Sequence, residues 1–220
     1  MKKIIFIFIL FCLAAFPIFG QKRQAIIKPA PKKPVANAPL AEISAQDWDA
    51  VINALDKENW TQAAQLSSTA LGKLKADNDK KQLARLRYFY IYALAGKAAE
   101  GKTTYAEIEK IADGFIGKEF VMPSRTILAD CAGKVNYICA VKDNNQILRV
   151  TATDKVATIH SFEYIKLAES LNTENYNEKN ALLSGTLEKV ELYLNKSGVK
   201  IMRLVFGQGF VNFVNVIPAQ

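Results

Sequence analysis

Few side chains in this sequence have the chemistry of a catalytic or metal-binding group. His160 is the only histidine among 220 residues, which removes multi-histidine metal sites and relays that need two imidazoles. It falls in a strand-like stretch, on the same face as Val156, Thr158 and Phe162 by period-2 alternation, so a packed or surface strand imidazole is the expectation. Cys131 and Cys139 are the next candidates. A thiolate with His160 as its base is formally available, because nucleophile and base need only meet in space, yet neither cysteine lies in a protease-like local motif. The same two cysteines can instead form a disulfide. In one straight strand their separation of eight positions spans roughly 26 Å, far beyond bridging distance, so a bridge requires a bend near Gly133. Asp77-Asn78-Asp79 opens like a calcium loop, but Lys81 holds the next ligand position and no glycine follows it. Helix capping is the better reading. There is no G-x-S-x-G elbow, P-loop or H-E-x-x-H pair, and the 21 carboxylates are scattered. No catalytic residue, metal or cofactor is expected.

Two aromatic stretches invite a binding role. Tyr88-Phe89-Tyr90-Ile91-Tyr92 is apolar on nearly every side, the pattern of a helix buried between neighbours. Its functional reading is that Tyr88 or Tyr92, with Arg85, lines a groove for a ligand or peptide. Near the end, Phe206-Gly-Gln-Gly-Phe-Val-Asn-Phe213 resembles the central octamer of the RNA-recognition motif. The mismatches fall on the positions that touch RNA: Phe206 replaces a cation and Gln208 a stacking aromatic. Only seven residues follow Phe213, too few for the helix and strand completing that domain. Gly207-Gln208-Gly209 is therefore expected to be a tight turn between the last two strands, with Phe210, Val211 and Phe213 buried.

The elements that must carry these residues change type along the chain. Residues 44–117 are helical in pattern. Trp48, Val51, Ile52 and Leu55 form one stripe behind Ser44 and Asp47. Trp60, Ala63, Ala64, Ser67, Leu71 and Leu74 form a second, and Leu83, Leu86, Tyr90, Ala93 and Leu94 a third. Thr104 and Glu107 open a fourth helix ending near Gly114 or Gly117. Short connections make these antiparallel hairpins. After Phe120 strands are expected at 134–141, 147–151 and 156–162, then a helix from 163 to about 171 and a polar loop. Further strands follow at 186–194, 199–206 and 210–217. The fold class is α+β: N-terminal antiparallel helical hairpins followed by a mostly antiparallel β domain, either a small barrel or a sheet with one helix.

Asn59-Trp60-Thr61-Gln62-Ala63-Ala64, Ala70-Leu71 and Tyr92-Ala93-Leu94-Ala95-Gly96 resemble the start of the first helix, its end, and the close of the second helix of a tetratricopeptide repeat. The resemblance covers one hairpin, about residues 57–96, and no second copy follows. It implies binding of peptides or partner proteins in grooves between stacked hairpins.

The N-terminus speaks to compartment. Met1-Lys2-Lys3, an apolar run from Ile4 to Ala15, Pro17, and Gly20 before Gln21 form a secretory signal pattern. Cleavage is placed between Gly20 and Gln21, with Ala15 as the alternative. Phe11 before Cys12 rules out a lipoprotein signal at that cysteine. The run is too short, and too soon interrupted by Pro17, to be a membrane helix. Net charge is +8, but from Glu42 onward 22 basic residues face 21 acidic ones, so attraction for a polyanion would rest on the Pro-, Ala- and Lys-rich stretch before it. The expected organisation is a signal peptide (1–20), a basic Pro-rich linker (21–41), a helical-hairpin domain (42–118) and a β-rich domain (119–220). The expected protein is periplasmic or extracellular, has no transmembrane span once the signal is removed, and does not bind nucleic acid. Its expected role is non-enzymatic, binding a protein partner or an envelope component. The alternatives are an exported hydrolase using carboxylates in a cleft and, behind it, a polyanion-binding module.

Overall fold

The computed structural model describes residues 43–74, 80–141, 144–156, 158–194 and 200–214, all within one compact unit; the expected signal peptide and linker, the 76–79 segment and the turn expected at 195–198 lie outside the described residues. Helix α1 (Ala45–Asp56) starts where the Ser44 hydroxyl accepts from the Asp47 amide, satisfying one of the donors that a helix start leaves open. A three-residue link with Glu58 at φ 55° leads to α2 (Trp60–Lys73), capped by Asn59. Helix α3 (Lys80–Ala99) has no single apolar stripe because Leu83, Leu86, Tyr88, Ile91 and Leu94 are all buried. It is packed by α2 and α4 and by strands of the sheet. Gly96 admits the Trp60 indole at van der Waals contact; a Cβ there would sit 2.3 Å from the ring. Helix α4 (Tyr105–Asp113) opens with a full Thr104/Glu107 capping box and ends at Gly114.

The strands are β1 (Glu119–Val121), β2 (Arg125–Leu128), β3 (Ile138–Val141), β4 (Asn144–Thr153), β5 (Ile159–Leu167), β6 (Asn180–Leu194) and β7 (Lys200–Phe213). A short 3-10 turn, Thr173–Tyr176, precedes β6. The sheet order is β1-β6-β2-β3-β4-β5-β7, and β6 also pairs with β7, so the sheet closes on itself as a ring. The pairings are mostly antiparallel; β2–β3 and β5–β7 are parallel. The fold class is thus α+β, helical hairpins followed by this sheet. Helices and strands share one core, in which Ile91, Leu94 and Ile108 join Phe120, Leu148, Ile165, Leu183, Leu204 and Phe206. No helix among the described residues is long and apolar enough to cross a membrane.

Three local expectations are overturned. Residues 163–167 continue strand β5 rather than starting a helix. Glu, Tyr, Ile, Lys and Leu are acceptable helix formers locally, but β4 and β7 bond to both edges of this segment, and Glu163 and Ile165 alternate inward. Gly207-Gln208-Gly209 is not a turn. Strand β7 runs through it, with Gly207 opposite Thr186 and Phe210 opposite Ser184. Gln208 and Gly209 therefore face the single residue Gly185, a bulge, with Gln208 at φ 49°. A Cβ on Gly209 would lie 2.4 Å from Ile165 Cγ2, so the glycine allows β5 and β7 to close. Finally, the bulge leaves Phe210 and Phe213 exposed, 58% and 45%, rather than buried, with Phe213 stacked on Tyr176 at 4.3 Å.

Candidate functional site

The i, i+4 spacing of Tyr88 and Tyr92 places both rings on one face of α3, stacked with centroids 5.9 Å apart and planes 12° from parallel. Together with Phe89 they line a cleft of about 470 Å³. Helix α1 contributes Ile52 and Leu55, the start of α2 contributes Trp60, and the β1–β2 link contributes Pro123 with Arg125 at the head of β2. At the mouth, Glu58 Oε1 accepts from the Lys155 amide at 2.6 Å, and Lys155 Nζ bonds the Asp56 carbonyl. These contacts tie the α1–α2 link to the β4–β5 turn.

Beneath the rings lies a buried ionic triad. The Glu163 carboxylate on β5 is wholly buried and accepts from Tyr88 Oη at 2.7 Å and Arg125 Nη1 at 3.3 Å. Arg125 Nη2 donates to Tyr88 Oη at 3.0 Å, and only 11% of the arginine side chain is exposed. Burial pushes the Tyr88 phenol well above its usual range, with Arg125 opposing. Burial likewise lifts Tyr92 to about 12. Burial alone would pull Arg125 down, but Tyr88 and Glu163 outweigh it and hold the guanidinium above its ordinary range. Both tyrosines are neutral and the arginine is charged at neutral pH, so the triad is internally compensated.

His160 is the extra residue in a bulge of β5, between Ile159 opposite Thr153 and Ser161 opposite Ala152. The strand starts only at Ile159, so Val156 falls in the preceding turn and is 81% exposed, whereas the imidazole is buried under Trp60, centroids 4.9 Å, and Tyr92, 5.7 Å. Its Nε2 is 3.8 Å from Asp154 Oδ2, and Nδ1 has no hydrogen-bond partner. Burial lowers its pKa, with Asp154, Glu58 and Glu100 opposing. The imidazole is a neutral ring packed between these aromatics, and it lines neither the aromatic cleft nor the polar cleft beside it. Cys131 and Cys139 are joined in a disulfide, Cα atoms 6.0 Å apart. Gly133 at φ 69° supplies the bend, and with both sulfurs bonded neither is available as a thiolate with His160 as its base.

A second, polar cleft of about 620 Å³ adjoins the first and shares Tyr92 and Arg125 with it. Its other walls are Ser124 and Thr126, Asn180 at the head of β6, and the 135–137 stretch of the disulfide loop. Of the residues singled out in sequence, Tyr88 and Tyr92 line the aromatic cleft, whereas Arg85 is exposed and does not. The expected cleavage position between Gly20 and Gln21 lies outside the described residues. Arg125 and Glu163 were missed. Arg125 sits in a four-residue strand that carries no pattern of its own, and Glu163 sits in the segment read as helix. No group of three or more His, Cys, Asp or Glu side chains among the described residues is arranged to hold a metal. Comparison with protein-family models, curated proteins and solved structures finds no match to this chain.

Proposed function

We propose that this chain is an exported, non-enzymatic binding protein that holds the apolar part of a cell-envelope component in the cleft between its helices and its sheet. The observation that carries this reading is the aromatic cleft over a compensated Arg125–Glu163–Tyr88 triad. Its volume falls in the range of small-ligand sites, which are mostly apolar with a few fixed polar groups. The buried charges satisfy one another, so the cleft suits an uncharged apolar group. The signal pattern of residues 1–20 and the Cys131–Cys139 bridge both suit an oxidising exported compartment. The tetratricopeptide-like hairpin supports a binding role too, since it supplies Trp60, Tyr88 and Tyr92 to the cleft.

Asp56 and Glu58 also border the cleft, which favours a hydrolase as the second reading. That reading needs a paired acid and base, but Glu58 is engaged by the Lys155 amide and Glu163 by Tyr88 and Arg125. The test is to incubate the exported form with an envelope extract and identify co-purifying amphiphiles by mass spectrometry. Ile52→Trp, which fills the cleft from half-buried position 52, should lower recovery about tenfold or more. Equal recovery with Ile52→Trp, or no enrichment by the wild type, sinks the proposal. Turnover of a glycan or peptide panel would favour the hydrolase.

A further inference from the structure

The polar cleft beside the aromatic one is built from parts that are fixed before any ligand arrives. One wall is the loop between β2 and β3, closed by the Cys131–Cys139 bridge. Within it Asn136 holds a left-handed backbone, φ 62°, a conformation that a non-glycine residue keeps only where its surroundings enforce it. They do so three times: the Asn136 amide donates to Thr151 O at 2.9 Å, its Nδ2 donates to Thr153 Oγ1 at 2.7 Å, and its Oδ1 accepts from the Thr153 amide at 3.1 Å. Facing that loop across the cleft are Ser124, Thr126 and Asn180. Thr126 Oγ1 donates to Asn180 Oδ1 at 2.9 Å, which fixes both side chains yet leaves the Asn180 N–H donors and the threonine lone pairs for a ligand. A wall ordered in advance lowers the entropic cost of binding.

The groups presented are hydroxyls and amides, donors and acceptors intermixed, beside the half-buried ring of Tyr137. Among the described lining residues the one cation, Arg125, is matched by Glu163, so an anion finds no uncompensated partner among them. A peptide cannot add as a strand, because β2 is already paired with β3 and β6. The chemistry that complements dense, neutral, two-way hydrogen bonding is a set of neighbouring hydroxyl groups. Building on the aromatic-cleft reading, we infer that the polar cleft is a saccharide subsite. It holds the neutral sugar head of an amphiphile whose apolar part lies in the aromatic cleft, the two meeting at Arg125 and Tyr92.

The test compares, below their micellar concentrations, dodecyl glycosides with gluco-, galacto- and manno-configured heads against a dodecyl oligo(ethylene glycol) ether, by titration calorimetry with the disulfide-intact protein. At least one glycoside should bind about tenfold tighter than the ether, the worth of a few added hydrogen bonds. Ser124→Ala/Thr126→Val should erase that advantage while leaving ether binding unchanged. Cys131→Ser/Cys139→Ser, which frees the loop, should weaken glycoside binding selectively as a second, independent check. Equal affinity for all heads, or a glycoside advantage that survives both variants, overturns the saccharide subsite and leaves the aromatic cleft standing. If no probe binds the wild type, both readings fall together.

Discussion

Removing the charge of Glu163 should be among the most damaging single changes outside the apolar core, and restoring neutrality should undo most of the damage. Glu163 is fully buried and Arg125 is 11% exposed, so Glu163→Gln leaves a guanidinium out of water with no counter-charge. Breaking a buried pair from one side costs about 3–5 kcal/mol, much of it the stranded charge. Arg125→Met strands the carboxylate instead, with Tyr88 Oη as its remaining donor, and falls in the same range. The double variant buries no charge and keeps a hydrogen bond from Tyr88 to the amide oxygen, so it should cost only about 1–2 kcal/mol. Urea unfolding followed by circular dichroism and tryptophan fluorescence gives all three values. If the double variant loses the sum of the two single losses to within about 0.5 kcal/mol, the residues are not coupled and the description of the triad fails. Tyr88→Phe, which keeps the ring but removes its hydroxyl, should cost about 1–2 kcal/mol and leave the Arg125–Glu163 coupling in place.

The other predictions concern the packing around the cleft. His160 has a folded pKa below its ordinary 6.5 because of burial, so its neutral form is the one the fold accepts. Its contribution is present above the unfolded pKa and is lost as pH falls through the lower folded value. Stability should therefore decline from about pH 6.5 downward in the wild type, and His160→Phe should flatten that part of the profile; an unchanged slope in denaturation midpoints would refute it. At the bulge of β7, Gly209→Ala should destabilise by about 1–3 kcal/mol, since the new methyl meets Ile165 Cγ2 at 2.4 Å and the Lys166 carbonyl oxygen at 3.0 Å. Gly207→Ala should cost less, because the atoms it meets belong to the Glu188 side chain, which can swing away. The reverse order in thermal unfolding would show that β7 is not bulged as described.

How far each feature was legible follows from how local its causes are. Helices α1, α2 and α4 were readable because a 3.6-residue apolar period and the Ser44 and Thr104 caps act within a few residues, and α3 because it is apolar on nearly every side. Tyr88 and Tyr92 were readable as neighbours for the same reason, one helical turn apart. Arg85 shares their helix, and periodicity alone could not tell that the cleft stops short of it. The 163–171 segment was misread because its residues suit a helix in isolation, and only bonding to β4 and β7 on both edges makes 163–167 a strand. Gly207-Gln208-Gly209 has the composition of a turn; neighbours on either side turn it into a bulge.

The amino-acid order by itself determined the helical layer, the change to strands after it, and the aromatic face of α3, because propensity, capping and periodicity are short-range. It also contained the condition for the disulfide, a glycine where the chain had to reverse. Only the tertiary structure decided the ring closure of the sheet and the pairing of Arg125 with Glu163, 38 positions apart. It alone assembled a cleft from α1, α3, the β1–β2 link and the β4–β5 turn. Those features depend on which distant surfaces exclude water together, and a buried charge finds its partner only once that packing has brought the two within reach.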